Sequence, residues 1–209
     1  VRRRAPEAFR RQERAVTPED YAEVSERHDD VDNAAATLRW TGSWHTVFVT
    51  VDRGGGDALT PAFTDSLQRH LDRYRMAGHD LEFHEPIYVP LELALHVCVK
   101  PDHFRSDVKR ALHELFSNRV LRDSRRGLFH PDNFSFGESV YLSRLYAAAH
   151  DVSGVLSVQI KAFRRQGSKD VLALQEGRIR LGRLEIARLD NDPNYPERGV
   201  LNLEMHGGK

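Results

Sequence analysis

A single cysteine, Cys98, serves the whole chain, so no disulfide within the chain can hold it together. Apolar runs are short. None approaches the roughly 20 residues that cross a bilayer, so no membrane embedding is expected. Net charge is absent too: 31 basic residues face 31 acidic ones, and no global field draws the chain toward nucleic acid or an anionic surface. Lysine is scarce, at five against 26 arginines. Genome composition accounts for much of that bias, although arginine also suits planar, bidentate protein contacts. The first residues, Val-Arg-Arg-Arg, have no apolar segment behind them and no initiator Met. The expectation is therefore no signal peptide and a piece of a longer polypeptide.

What is present reads as a soluble globular protein, 40% apolar and 30% charged, long enough for one large domain or two small ones. Residues 1–15, with six arginines, read as a solvated linker. "TPEDYAEVSERH" opens a helix, with Thr17 as N-cap, Pro18 in the first turn and Asp20 completing a capping box. "VDNAAATLRW" and "WHTVFVTVDR" read as two strands joined at "TGS", with Val47, Val49 and Val51 on one face. Thr60-Pro61 repeats the cap signal for a helix over 60–76, striped by Phe63, Leu67, Leu71 and Tyr74, with Gly78 as its left-handed terminus.

The clearest strand lies at 89–99. Val89, Leu91, Leu93, Leu95, Val97 and Val99 alternate with Pro90, Glu92, Ala94, His96 and Cys98, which predicts one buried face. A helix over 102–118 follows, then a long polar loop at 119–138. Another helix at 139–150 leads to a strand at 155–163, and 178–206 reads as a closing hairpin around "DNDPN". The order predicts an α+β protein. A first sheet-plus-helix unit spans 16–88 and a second spans 89–209 with a C-terminal β-hairpin, the connections being too short for repeated parallel crossovers.

Catalytic motifs are missing. There is no HExxH, CxxC or G-x-S-x-G, and "RGGGD" lacks the Lys-Ser/Thr of a phosphate loop. His84, His96 and His103 invite a three-histidine zinc reading, and with it a metal-dependent hydrolase or ligand-binding domain as the alternative function. Scattered surface histidines are the simpler reading, so neither a metal nor another cofactor is expected. "RLDNDPNYPERG" places Asp190, Asp192 and Asn194 at calcium-loop positions one, three and five. Yet Tyr195 stands where that loop needs Gly and Leu201 where it needs Glu, so a rigid turn is the preferred reading. Aromatics in the long loop (Phe129, Phe134, Phe136) and the oxygen-rich turn (Asp190, Asp192, Asn194, Tyr195) are the expected contact surfaces.

Several phrases together are similar to the C-terminal part of baseplate J-like assembly proteins. They include "WTGSWHTVFVTVDRGGG", "LEFHEPIYVPLELALHVCVKP", "GLFHPDNFSFGESVYLSRLYAAAH" and "GRLEIARLDNDPNYPERGVLNLEM". These are wedge components of contractile phage tails and extracellular contractile injection systems. The resemblance implies a structural protein with no catalytic residues. Its expected partners are other copies of itself and other wedge, hub and sheath-proximal proteins. It would form a ring around the hub and anchor the sheath, in the baseplate of a particle assembled in the bacterial cytoplasm.

Overall fold

The computed structural model describes residues 14–121, 124–169 and 171–209. Residues 1–13, most of the expected linker, lie outside these. The chain divides into two compact units, with the boundary between Pro86 and Ile87.

The first unit begins with α1 (Pro18–Ser25), and the capping box forms as the sequence predicts. Thr17 Oγ1 accepts the Asp20 amide at 3.2 Å, and Asp20 Oδ2 accepts the Thr17 amide at 2.8 Å. β1 (Asn33–Trp40) and β2 (His45–Asp52) then form an antiparallel hairpin that closes at the Trp40–His45 pair. Next comes α2 (Pro61–Leu71), capped by Thr60 Oγ1 accepting the Phe63 amide at 3.3 Å. β3 (His79–His84) returns parallel to β2, giving sheet order β1-β2-β3.

One expectation is corrected here. α2 stops at Leu71 rather than 76, so Gly78 sits in the turn before β3 and not at the helix end, though its φ is +85°. In addition, β2-α2-β3 is a single parallel crossover, which is compatible with the expected lack of repeated ones. One helix of eleven residues suffices to span it. Tyr21, Val24, Val47, Val49, Val51, Phe63, Leu67 and Leu71 form the core.

The second unit is organised on β4 (Ile87–Val99). Its odd-numbered residues from Val89 are buried, at most 6% exposed, while the even-numbered ones are half-buried. Helices α3 (Arg105–Leu115) and α4 (Leu142–His150) cover the odd face, contributing Val108, Leu112, Leu145 and Ala149 to one core. β6 (Val155–Arg165) lies antiparallel along one edge of β4, with register shifts at Ala94/Leu95 and Cys98/Val99. The two-residue strands β5 (Val140–Tyr141) and β7 (Arg178–Ile179) pair separately, and α5 (Leu172–Glu176) precedes β7.

The other edge of β4 carries a correction to the topology. β8 (Glu185–Arg188) and β9 (Val200–Gly207) do not pair with each other as a hairpin. Both run parallel to β4, at Ile87–Pro90 and Glu92–Val99 respectively. They are one edge strand interrupted by an excursion, 189–199, that leaves and re-enters in register. Gly199 permits the return: its φ is +102°, and a Cβ there would stand 2.9 Å from the Arg188 carbonyl.

Candidate interaction surface

The excursion is held by its own polar side chains. Asp190 Oδ2 accepts from Arg188 Nε at 2.9 Å, and its Oδ1 accepts from Asn118 Nδ2 at 2.9 Å. Asn191 adopts a left-handed φ of 49°, and its Oδ1 accepts the Leu201 amide at 3.0 Å. Asp192 Oδ1 folds back onto the Asn194 amide at 2.8 Å and the Asn194 side-chain amide at 3.1 Å. Both Asp190 oxygens and Asp192 Oδ1, among those that made a calcium reading conceivable, are thus engaged by donors, one of them a guanidinium. Tyr195 is exposed, with the Arg198 guanidinium 4.4 Å from its ring centre.

The long loop behaves otherwise. Phe129 and Phe134 are each 3% exposed, stacked on one another at 5.6 Å, and Phe136 packs half-buried on the same core. The exposure expected of them is therefore corrected. The reason lies in the backbone: Leu128 donates to the Leu115 carbonyl and Phe129 to the Ser117 carbonyl, while the Asn133 side-chain amide donates to the carbonyls of Gly127 and Leu128. These bonds draw the segment down beside Phe116. At Gly127 a Cβ would lie 2.1 Å from the Ser117 oxygen, so the approach requires glycine. Beside the excursion lies a cleft of about 640 Å³, lined by residues that include His113, Phe116, Asn118, Leu121 and Asp190. His113 is held below its usual imidazole range, chiefly by burial and then by the charge of Lys109.

His84, His96 and His103 each have other neighbours within their own unit. His84 pairs with Glu82 at 3.1 Å in the first unit. In the second, His96 packs edge-on against His206 at 4.1 Å, while His103 lies between Asp102 and Ser153. Among the described residues no group of three or more His, Cys, Asp or Glu could hold a metal. One contact resembles a nucleophile and base: His28 Nε2 stands 3.1 Å from Ser66 Oγ. However, His28 Nδ1 accepts the Asp30 amide, which places the proton on Nε2 and makes Ser66 the acceptor. Cys98 lies on the half-buried even face of β4. No helix among the described residues is long and apolar enough to cross a membrane.

Sequence reasoning missed a different surface. Trp40 and Trp44 are the only two tryptophans of the chain, and both stand out from the β1–β2 turn, 61% and 59% exposed. Their signal was legible, since two indoles flank "TGS" at a hairpin tip where turn residues alone would serve.

These features define a two-unit α+β scaffold. Residues 13–84 match the family model of the baseplate J-like central domain. Among solved structures, the fold is similar to a chain in a cryo-EM structure of the anti-feeding prophage (AFP) baseplate, six-fold symmetrised. The identity is 14% and the TM-score 0.53, over 97% of this chain. This chain spans 40% of the length of that one. No curated protein matches it.

Proposed function

We propose that this protein is a structural component of the baseplate of a contractile injection system or phage tail. The observation that carries the reading is the match of residues 13–84 to the baseplate J-like central domain. The likeness of fold to a chain of the AFP baseplate supports it over nearly the whole length. In this reading the chain is a wedge protein. It binds further copies of itself and other wedge, hub and sheath-proximal proteins, and anchors the sheath. Assembly takes place in the bacterial cytoplasm, and the chain catalyses no reaction. The turn carrying Asp192, Asn194 and Tyr195 is one contact surface, since it projects from a sheet edge with an exposed aromatic at its end.

The experiment is purification of contractile particles from the native source. Mass spectrometry should find the chain, and a gold-labelled antibody should place it at the baseplate end. Particles that lack the chain would overturn the reading.

A further inference from the structure

The sheet of the second unit ends on two edges that are built differently. β6 is guarded. Its pairing with β4 slips at Ala94/Leu95 and Cys98/Val99, exposed Lys161 stands at the first slip, and the Ile160 amide donates to the Tyr146 hydroxyl at 3.2 Å. Bulges and lysines of this kind keep an edge from pairing with another chain. β9 carries none of them. It runs in register with β4 from Val200 to Gly207, and that stretch holds no Lys, Arg or Pro. Among the described residues no strand pairs with its outer side.

Strand parity shows which groups face outward. The Pro90 carbonyl accepts from the Gln166 amide just past β6, and the Ile87 amide donates to the Leu184 carbonyl just before β8. Odd-numbered β4 residues therefore turn their backbone groups toward β8 and β9. In this parallel register the even-numbered residues of β9 answer them, and the odd-numbered ones turn away. The Leu201 amide agrees, for it donates to Asn191 Oδ1 in the excursion. The amides of Leu203 and Met205 have no partner among the described residues. Their side chains are only half-buried on the core, so apolar surface continues to the same edge.

An unpaired ladder is completed by an extended strand, and the sequence of this edge is complementary to itself. Two copies of β9 meet antiparallel about a two-fold axis, and the residues narrow the register. An axis at Leu203 sets Leu201 opposite the partner's Met205, but the Leu201 amide is already held by Asn191. An axis at Glu204 or His206 sets like side chains opposite one another. An axis at Met205 avoids both faults. The amide and carbonyl of Met205 then exchange bonds with those of the partner's Met205, and Leu203 lies opposite the partner's Gly207. On the polar face, where Glu204 and His206 are exposed, Glu204 meets the partner's His206 on both sides of the axis.

We propose that two copies of this chain pair antiparallel through β9 about Met205, which joins their sheets into one. The proposal rests on the baseplate reading for its setting, in which the chain binds further copies of itself, and it names the surface that does so.

The test is sedimentation of the full chain over a range of concentrations, where wild type should show a monomer–dimer equilibrium. Glu204→Arg should weaken the dimer about tenfold, because the axis counts the lost pair twice, and Glu204→Arg/His206→Glu should restore it. Met205→Pro removes an amide that β4 does not use and should weaken the dimer at least as much, whereas Met205→Ala keeps that amide and much of the affinity. Where Met205→Pro lowers the melting temperature, the exposed Glu204 and His206 variants decide. In a Cys98→Ser background, Met205→Cys should oxidise to a covalent dimer, since opposed Cα atoms at about 5.5 Å suit a disulfide. Asn202→Cys in the same background lies opposite the partner's Gly208 and should not. Native particles carrying these cysteine variants should give the same pattern. A chain that stays monomeric, with no covalent dimer in solution or in particles, would overturn the inference and leave the baseplate reading standing. A dimer that Glu204→Arg leaves unchanged would overturn the β9 pairing. Protection of the Leu203 and Met205 amides from hydrogen exchange, in particles that give no covalent dimer, would make the occupant a strand of a different protein and overturn the second copy. Particles that lack the chain, while the isolated protein still forms the covalent dimer, would overturn the baseplate reading alone.

Discussion

Two aromatic turns in this protein have opposite fates. The 119–138 loop is long and polar, yet it turns Phe129 and Phe134 into the second unit's core. The β1–β2 turn is short and tightly bonded, yet it holds Trp40 and Trp44 outward. Length and composition do not decide which way an aromatic points. In the long loop, backbone bonds to the end of α3 and the glycine at 127 bring the segment against Phe116. At the hairpin, strict pairing of β1 with β2 up to Trp40–His45 leaves the tip beyond the end of the core.

The sharpest way to break this comparison is to truncate one aromatic in each turn. Phe129→Ala should destabilise the protein by about 3–5 kcal/mol, because it removes a buried ring stacked on another. Trp40→Ala should fall within about 0.5 kcal/mol of wild type, as for an exposed position. Denaturant melts measure both. Equal losses would mean that the two turns are not distinguished by packing. For the same reason, deleting 124–136 should unfold the second unit rather than yield a trimmed but stable protein.

The next effect tests the framework beneath the long loop. Leu93 on β4 is fully buried between β6 and β9, pairing with Phe163 and Leu201. Leu93→Ala should cost about 2–5 kcal/mol through the cavity it opens. A loss below about 0.5 kcal/mol would place the wrong face of β4 inward.

Leu93 also shows what the sequence makes legible. A period-2 run over β4 encodes its buried face, and Thr-Pro pairs at 17–18 and 60–61 encode two helix starts, because each signal is local. Strand pairing is not local. Nothing in "EIAR" or "VLNLEM" tells whether they pair with each other or side by side along β4. The oxygen-rich turn between them imitated a hairpin tip. The parallel return of β3 across α2 was hidden in the same way, as was the burial of Phe129, which depends on a carbonyl at Ser117. The candidate surface was half legible: Tyr195 is exposed as expected, the three phenylalanines are not, and the tryptophans were read only as strand ends.

Histidines and carboxyls should also part company in acid. Burial first, then the charges of His45 and Arg75, holds His79 below its ordinary 6.5. The folded state therefore binds fewer protons there than the unfolded chain. That contribution is complete above about pH 6.5 and is lost as pH falls through the lowered value. In the second unit, hydrogen bonds from Arg164 to Glu92 and from Arg165 to Glu185 hold both carboxyls below 4.5. Their contribution is present above about pH 4.5 and is lost as pH falls further. Melting temperatures followed from about pH 8 to pH 3 should fall in two stages. His79→Gln should shrink only the upper stage, to which the lowered His113 of the second unit also contributes, and Glu92→Gln only the lower, to which the lowered Asp20 of the first unit also contributes. A single stage common to all three proteins would remove the distinction.

The smallest expected effect concerns the excursion, where Asp192→Asn should change neither calcium binding nor the response of stability to a chelator. A calcium loop needs roughly six to eight oxygens directed at one point. Here Asp190 is already engaged by the Arg188 guanidinium and the Asn118 amide, and a cation would have to displace that positive charge. Asp192 is folded onto Asn194 within an Asx turn, an arrangement that its amide oxygen in the Asn variant can reproduce. Pro193 and Pro196 limit how the backbone wraps, and the Asn191 side chain is committed to the Leu201 amide where β9 begins. The excursion thus keeps its shape through bonds that an ion would break rather than complete. Titration calorimetry of the wild-type protein should show no heat of calcium binding. Saturable binding at micromolar affinity, abolished by Asp192→Asn, would show instead that these carboxylates rearrange around a cation and that the turn is a metal site after all.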